Sequence, residues 1–136
     1  YCAALRDNGI AFDSALVAET GGCFEMPESY TGMCRLIDSG ADFSAVFTLS
    51  DTMAISAMKA LEDRGRRVPE DCSVIAIDGL TVSEYVSPTL TTLVQPAEEM
   101  GRESVRILLD ILDNGGANRH VRLEAKVRPG ASVKQL

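Results

Sequence analysis

Two apolar runs of strand length constrain this chain more than anything else in it: Ala45-Val46-Phe47-Thr48-Leu49 and Ser73-Val74-Ile75-Ala76-Ile77. Neither shows the polar alternation of a half-wet strand, so each reads as a strand covered on both faces. Between them Ala54, Ala57, Met58 and Leu61 recur at i, i+3, i+4 and i+7, the stripe of a helix packed on one side. Ser50 is placed to cap its start and Gly65 to end it. Strand, helix, strand in that order makes neighbouring parallel strands with a right-handed crossover.

The same alternation extends in both directions. Residues 1–8 read as a helix ended by Gly9, and Leu16-Val17-Ala18-Glu19 as a short strand. Pro27 opens a helix that runs to about Gly40. A loop or short helical turn over 79–88 precedes a β-branched strand, Leu90-Thr91-Thr92-Leu93-Val94. Pro96 starts a last helix whose face carries Val105, Leu108, Leu109 and Leu112, stopped by Asn114-Gly115-Gly116. Val121, Leu123, Ala125 and Val127 then alternate with Arg122, Glu124, Lys126 and Arg128, the pattern of a half-exposed strand. The expected fold is α/β, an open, mostly parallel sheet flanked by helices, within one domain over 1–136.

The formal net charge of -7 repels phosphate backbones, which argues against nucleic-acid binding by these residues themselves. No apolar run reaches the roughly 18 residues of a membrane span. The four cysteines, at 2, 23, 34 and 72, and the single histidine, His120, have no metal-ligand spacing. Reduced, buried thiols are expected, since the apolar content builds a core without staples. Gly-x-Ser-x-Gly, phosphate-loop and Gly-x-Gly-x-x-Gly patterns are missing, and His120 lies far from any strand-to-helix turn. The expectation is a binding module without catalytic residues, metal or cofactor.

Ligands on sheets of this kind bind at the carboxyl ends of the strands. That rule singles out Ser50-Asp51, Asp78-Gly79 and the loop Gly21-Gly22-Cys23-Phe24-Glu25. Asp51 reads either as a helix cap or as a ligand group, and Asp78-Gly79 either as a turn or as a ligand group. Two carboxylates at adjacent strand ends suit the hydroxyls of sugars and polyols, and Phe24 suits an apolar ligand face.

Longer motifs point the same way. Val68-Pro69-Glu70-Asp71-Cys72-Ser73-Val74-Ile75-Ala76-Ile77-Asp78-Gly79 resembles the VPEDVSVIGFDD segment of the LacI/GalR family of transcription regulators. Ser87-Pro88-Thr89-Leu90-Thr91-Thr92-Leu93-Val94-Gln95-Pro96, followed by Glu99-Met100-Gly101, resembles that family's PPLTTVRQP and EMG. Ala45 to Ala54 resembles AVFAANDxxA, and Tyr1 to Ile10 resembles GYxxALxxxGI. The match covers essentially the whole chain in the family's order.

The resemblance implies half of a type I periplasmic-binding-protein-like fold: the C-terminal subdomain of an effector-binding domain. The headpiece and most of the N-terminal subdomain would lie outside this chain. It implies a cytoplasmic homodimer that senses a sugar or related polyol. Operator DNA would be bound only by a separate helix-turn-helix headpiece, under allosteric control. Phe24 falls at the aromatic position that stacks on effectors and Glu25 at the contact beside it. Ser50 stands where the family has Asn, and Asp78 matches the first Asp of FDD. Asp51 is expected to be structural. Gly79 and Thr89 depart from the family's second Asp and second Pro, which leaves the effector's identity open. Ile55, Met58, Lys59 and Tyr85 are the implied dimer interface, Met58 reading equally well as core. An extracytoplasmic sugar-binding protein of a transport system is the alternative on the same fold.

Overall fold

The computed structural model describes residues 1–22, 24–117 and 119–135. Helices α1 (Cys2–Asp7), α2 (Met26–Asp38), α3 (Asp51–Asp63) and α4 (Ala97–Asn114) and strands β1 (Ala45–Phe47), β2 (Ser73–Asp78), β3 (Thr91–Val94) and β4 (Lys126–Arg128) follow in the order α1-α2-β1-α3-β2-β3-α4-β4. The sheet order is β1-β2-β3-β4. The first two pairings are parallel and the third antiparallel, so the sheet is open, mixed and mostly parallel. This is the architecture expected from the alternation of runs.

Local chemistry sets the helices. Pro27 sits in the first turn of α2, where its missing amide costs nothing. The Ser50 hydroxyl accepts from the Met53 amide at 3.2 Å and caps α3. Helices α2 and α3 pack on each other. Their polar ends are tied by the Arg64–Asp38 fork (2.8 and 2.9 Å) and by the Tyr30 hydroxyl donating to Asp63 at 2.9 Å. Beneath them Met33, Ala54, Ala57, Ala60, Leu61, Val74, Ala76 and Leu90 form the core. Cys34 and Cys72 are free thiols within it, and burial pushes the Cys72 thiol up. Cys2 is free and exposed, and Cys23 lies outside the described residues.

Three expectations are corrected. Leu16–Glu19 is not a strand: Ser14–Leu16 forms a 3-10 turn, capped by the Asp13 carboxylate on the Ala15 amide. The segment that follows crosses α2, where Thr20 meets Gly32 and the Glu19 carbonyl accepts from Arg35. Second, the run at 45–49 is not covered on both faces. β1 is an edge strand, and Phe47 and Leu49 are about half exposed. Third, the last strand is only Lys126–Arg128. Its register pairs Lys126 with Val94, the final residue of β3, so residues before Lys126 have no strand to lie against.

Helix α4 buries none of its residues. Among the described residues, no helix is long and apolar enough to cross a membrane.

Candidate functional site

β1 and β2 run parallel and side by side, so the turns that follow them open at the same edge of the sheet. Asp51 stands where β1 gives way to α3, and Asp78 closes β2. The two carboxylates have different surroundings. Asp51 is fully buried. It accepts from the Leu80 amide at 2.6 Å and from the Thr92 hydroxyl at 2.5 Å. It therefore joins α3, the loop after β2 and β3, and has no face toward solvent. The structural reading of Asp51 holds, with one correction: the helix cap is Ser50, while Asp51 fastens the loop.

Asp78 is only half-buried, and Gln95 donates its side-chain amide to Oδ1 at 2.7 Å. The Gln95 main-chain amide also donates to the Asp78 carbonyl at 3.1 Å. Among the described residues Asp78 is the only non-glycine with a positive φ, 137°. A torsion of this kind persists only where the surroundings over-determine it, and such residues cluster at ligand sites and switches. Next to it Gly79 has φ +78°, and an added Cβ would lie 2.7 Å from the Cα of Val94. The backbone thus passes too close to β3 for a side chain at this position. The Asp78 carboxylate is oriented on one side and retains accepting positions on the other.

The remaining candidates divide. Phe24 is 57% exposed and lines an apolar cavity of about 820 Å³, with Leu16, Val17, Phe47, Leu49 and Met53 among its walls. Ser50 and Asp78 are not among those walls, while Leu49 and Met53 on either side of Ser50 are. Glu25 is exposed, and its side chain makes no cap to α2. Ser50 is nearly buried. Its hydroxyl caps α3 and meets the Thr52 hydroxyl at 3.0 Å, which leaves it one further hydrogen-bonding position. At the interface positions, Tyr85 is 83% exposed, Ile55 half-buried, and Lys59 exposed and paired with Asp63. Met58, at 7% exposure, packs in the core on the stripe it shares with Ala54 and Leu61, in keeping with the core reading held beside its interface reading.

Two side chains that meet the candidate site were missed from sequence. Gln95 follows the end of β3, and the strand-end rule applied to that strand would have found it. Arg128 read as one residue of an alternating strand, yet its guanidinium donates to the Gly79 and Leu80 carbonyls, Ser83 and Glu84. Nothing local in sequence signals those partners.

The sequence profile of the periplasmic binding protein-like domain family matches residues 4–133. The HTH-type transcriptional regulator MalR of Clostridium butyricum is 35% identical over 127 residues, covering 93% of this chain and 37% of that protein. CelR of Thermobifida fusca, another HTH-type transcriptional regulator, is 40% identical over 123 residues, covering 90% of this chain and 35% of its own. The chain thus spans little more than a third of the length of these curated relatives. A solved complex of the transcriptional regulator CelR with cellobiose superposes with a TM-score of 0.85 at 38% identity, over 97% of this chain and 40% of that one.

Proposed function

The chain belongs to the periplasmic binding protein-like domain family, in the branch of LacI-family transcription regulators, and from that premise we propose that it is the effector-sensing and dimerising C-terminal part of such a regulator. The ligand is a sugar or related polyol. Its hydroxyls donate to the Asp78 carboxylate, Phe24 covers an apolar face of the ring, and Glu25 and Ser50 supply further polar contacts at the rim. Two copies meet through Ile55, Lys59 and Tyr85. A separate helix-turn-helix segment of the same cytoplasmic protein binds operator DNA, and ligand occupancy shifts its affinity by a coupling free energy of ~1–3 kcal/mol.

The observation that carries this reading is the Asp78 carboxylate: half-buried at the carboxyl end of a parallel strand, oriented by Gln95 and held at φ 137°. A carboxylate so fixed offers directional acceptors at a ligand edge, which suits hydroxyl recognition.

The test is a calorimetric titration of the full-length protein with a panel of mono- and disaccharides that includes cellobiose, followed by operator binding with and without the sugar that binds. Asp78→Asn is expected to weaken sugar binding by about ten- to a hundredfold, as loss of one charged hydrogen bond would. Operator affinity without sugar should stay within about twofold. An unchanged sugar affinity removes Asp78 from the site, and a collapse of sugar-free operator binding makes its role structural.

A further inference from the structure

The loop that leaves Asp78 is fastened from two sides. Asp51 takes the Leu80 amide from the α3 side. From the β4 side Arg128 donates to the Leu80 carbonyl at 2.9 Å, to the Gly79 carbonyl at 3.5 Å, to the Glu84 carboxylate at 2.6 Å and to the Ser83 hydroxyl. The Arg128 Nε is buried and has no partner among the described residues. A guanidinium that leaves one buried donor unsatisfied while its terminal nitrogens meet four oxygens is placed for the loop, not for its own solvation.

We infer that Arg128 is a positioning residue for the candidate site, holding the Asp78 backbone and carboxylate in place and linking them to the surface at Tyr85. Glycine at 79 is a soft joint, so nothing in the Asp78-Gly79 dipeptide itself fixes the strained torsion. What fixes it is the rigid peptide unit between Gly79 and Leu80, tied through the Gly79 carbonyl to Arg128 and through the Leu80 amide to Asp51. The next unit is tied through the Leu80 carbonyl to Arg128. Release of the carbonyls lets Gly79 turn, which carries the Asp78 carbonyl off the Gln95 main-chain amide and its carboxylate off the Gln95 side chain. In the other direction the Arg128 contacts run through Ser83 and Glu84 to Tyr85, whose amide donates to Val82. One side chain therefore spans the path from the ligand candidate to the interface candidate. The ligand part of this inference rests on Asp78 being a ligand group, whereas the geometric part is measured without ligand, so the two fail separately.

The experiment is nitrogen-15 NMR of this chain, reading the Gln95 side-chain amide resonances and hydrogen exchange along 78–85, in the unsubstituted protein, Arg128→Gln, Arg128→Lys and Glu84→Gln. Arg128→Gln is expected to move the Gln95 side-chain resonances in the direction that Asp78→Asn moves them. It should also speed exchange at Ser83 and Tyr85 at least ~10-fold, with Leu61 in the core changed less than ~2-fold. Arg128→Lys keeps the charge without the fork and falls between. Glu84→Gln, at an exposed side chain, gives the same pattern in smaller degree and carries the test alone if the Arg128 variants do not fold. Faster loop exchange with unmoved Gln95 resonances overturns the inference, and so does a uniform rise across all amides. Sugar titration of the unsubstituted chain reports separately on whether Asp78 binds ligand.

Discussion

Gln95 holds Asp78 by two hydrogen bonds, one from its main chain and one from its side chain, so that the last residue of β2 and the first residue beyond β3 form a single polar unit. The side-chain bond lies at 2.7 Å, in the range of charge-assisted hydrogen bonds. It turns one carboxylate oxygen inward to the sheet end and leaves the group's other accepting positions for a ligand.

Gln95→Leu removes that donor without disturbing the main-chain bond. The half-buried carboxylate then loses one charge-assisted partner, at a cost of ~1.5–3 kcal/mol. A urea titration should show a lower midpoint with an unchanged slope. Sugar affinity should fall with it, because Asp78 is no longer oriented. An unchanged midpoint would mean that water replaces the amide at no cost.

Asp51 behaves differently from Asp78 under substitution. Asp51→Ala leaves the part-buried Leu80 amide and the fully buried Thr92 hydroxyl without their acceptor, the buried hydroxyl alone costing ~1–3 kcal/mol unsatisfied. Against a typical stability of roughly 5–15 kcal/mol, this is enough to lower the thermal midpoint severely. Thr92→Val, which deletes one donor and keeps the Leu80 bond, should cost less. If Asp51→Ala instead spares stability and abolishes sugar binding, Asp51 belongs to the ligand site after all.

Much of this was legible in sequence, and the part that was not has a common cause. Pro27, Ser50 and the Ala54–Leu61 stripe act within a turn or two of themselves, so α2 and α3 could be read directly. β2 and β3 are continuous apolar or β-branched runs flanked by partners on both sides, and they too could be read. Leu16–Glu19 has strand composition, but a strand needs a neighbour, and here Asp13 starts a turn while Arg35 takes the Glu19 carbonyl. The alternation from Val121 onward fails for the same reason, since β3 ends at Val94. At the site, Asp78 was found because it follows a strand. The partners that define it and its neighbour are remote: Thr92 lies 41 positions from Asp51, and Arg128 lies 48 from Leu80. Periodicity carries no information at that range.

Gly79→Ala tests the close approach of the loop to β3. The new Cβ would sit 2.7 Å from the Cα of Val94, with φ +78° adding the left-handed penalty of ~1–2 kcal/mol for a residue with a side chain. The clash is with the Cα and Cβ of Val94 as well as its Cγ1, so trimming Val94 to alanine cannot relieve it. Urea midpoints should fall for Gly79→Ala by at least ~2 kcal/mol equivalent, and Val94→Ala in the same chain should not restore the loss. Restoration would show that the loop, not the strand, gives way.

The pH dependence follows from the ion pairs around the helices. The Arg64 fork holds Asp38 below the usual carboxylate range. Lys59, and then the Tyr30 hydroxyl, do the same for Asp63. Arg67 lowers Asp71 through its side chain and its amide, and Arg106 lowers Glu103. Each is a carboxyl whose folded pKa is depressed, so its contribution is fully present above the unfolded value near ~4 and is lost as pH falls through the folded value. Urea midpoints should be level from neutrality to about pH 5 and decline below about pH 4. These groups are largely solvated, which keeps each contribution small. Arg64→Gln should flatten the acid limb by releasing Asp38. A steeper limb in that variant would contradict the assignment.

Helix α4 leaves its apolar face uncovered. Val105, Leu108, Leu109 and Leu112 fall at i, i+3, i+4 and i+7, and all four are more than half exposed. None of the residues of this helix is buried, so its apolar stripe faces water along its length. Burial of such a stripe is favourable by ~25 cal/mol per Å², and isolated apolar patches of this kind drive association. The chain should therefore form dimers or larger species at tens of micromolar, through α4, through the surface of Ile55 and Tyr85, or through both. Light scattering over a dilution series should show mass rising with concentration. The double substitution Leu108→Lys with Leu112→Lys should remove the part that depends on α4 and leave the urea midpoint of the dilute protein unchanged, because neither side chain contributes to the core. A monodisperse monomer across the series would show that four exposed leucine and valine side chains on one helix face are tolerated in water.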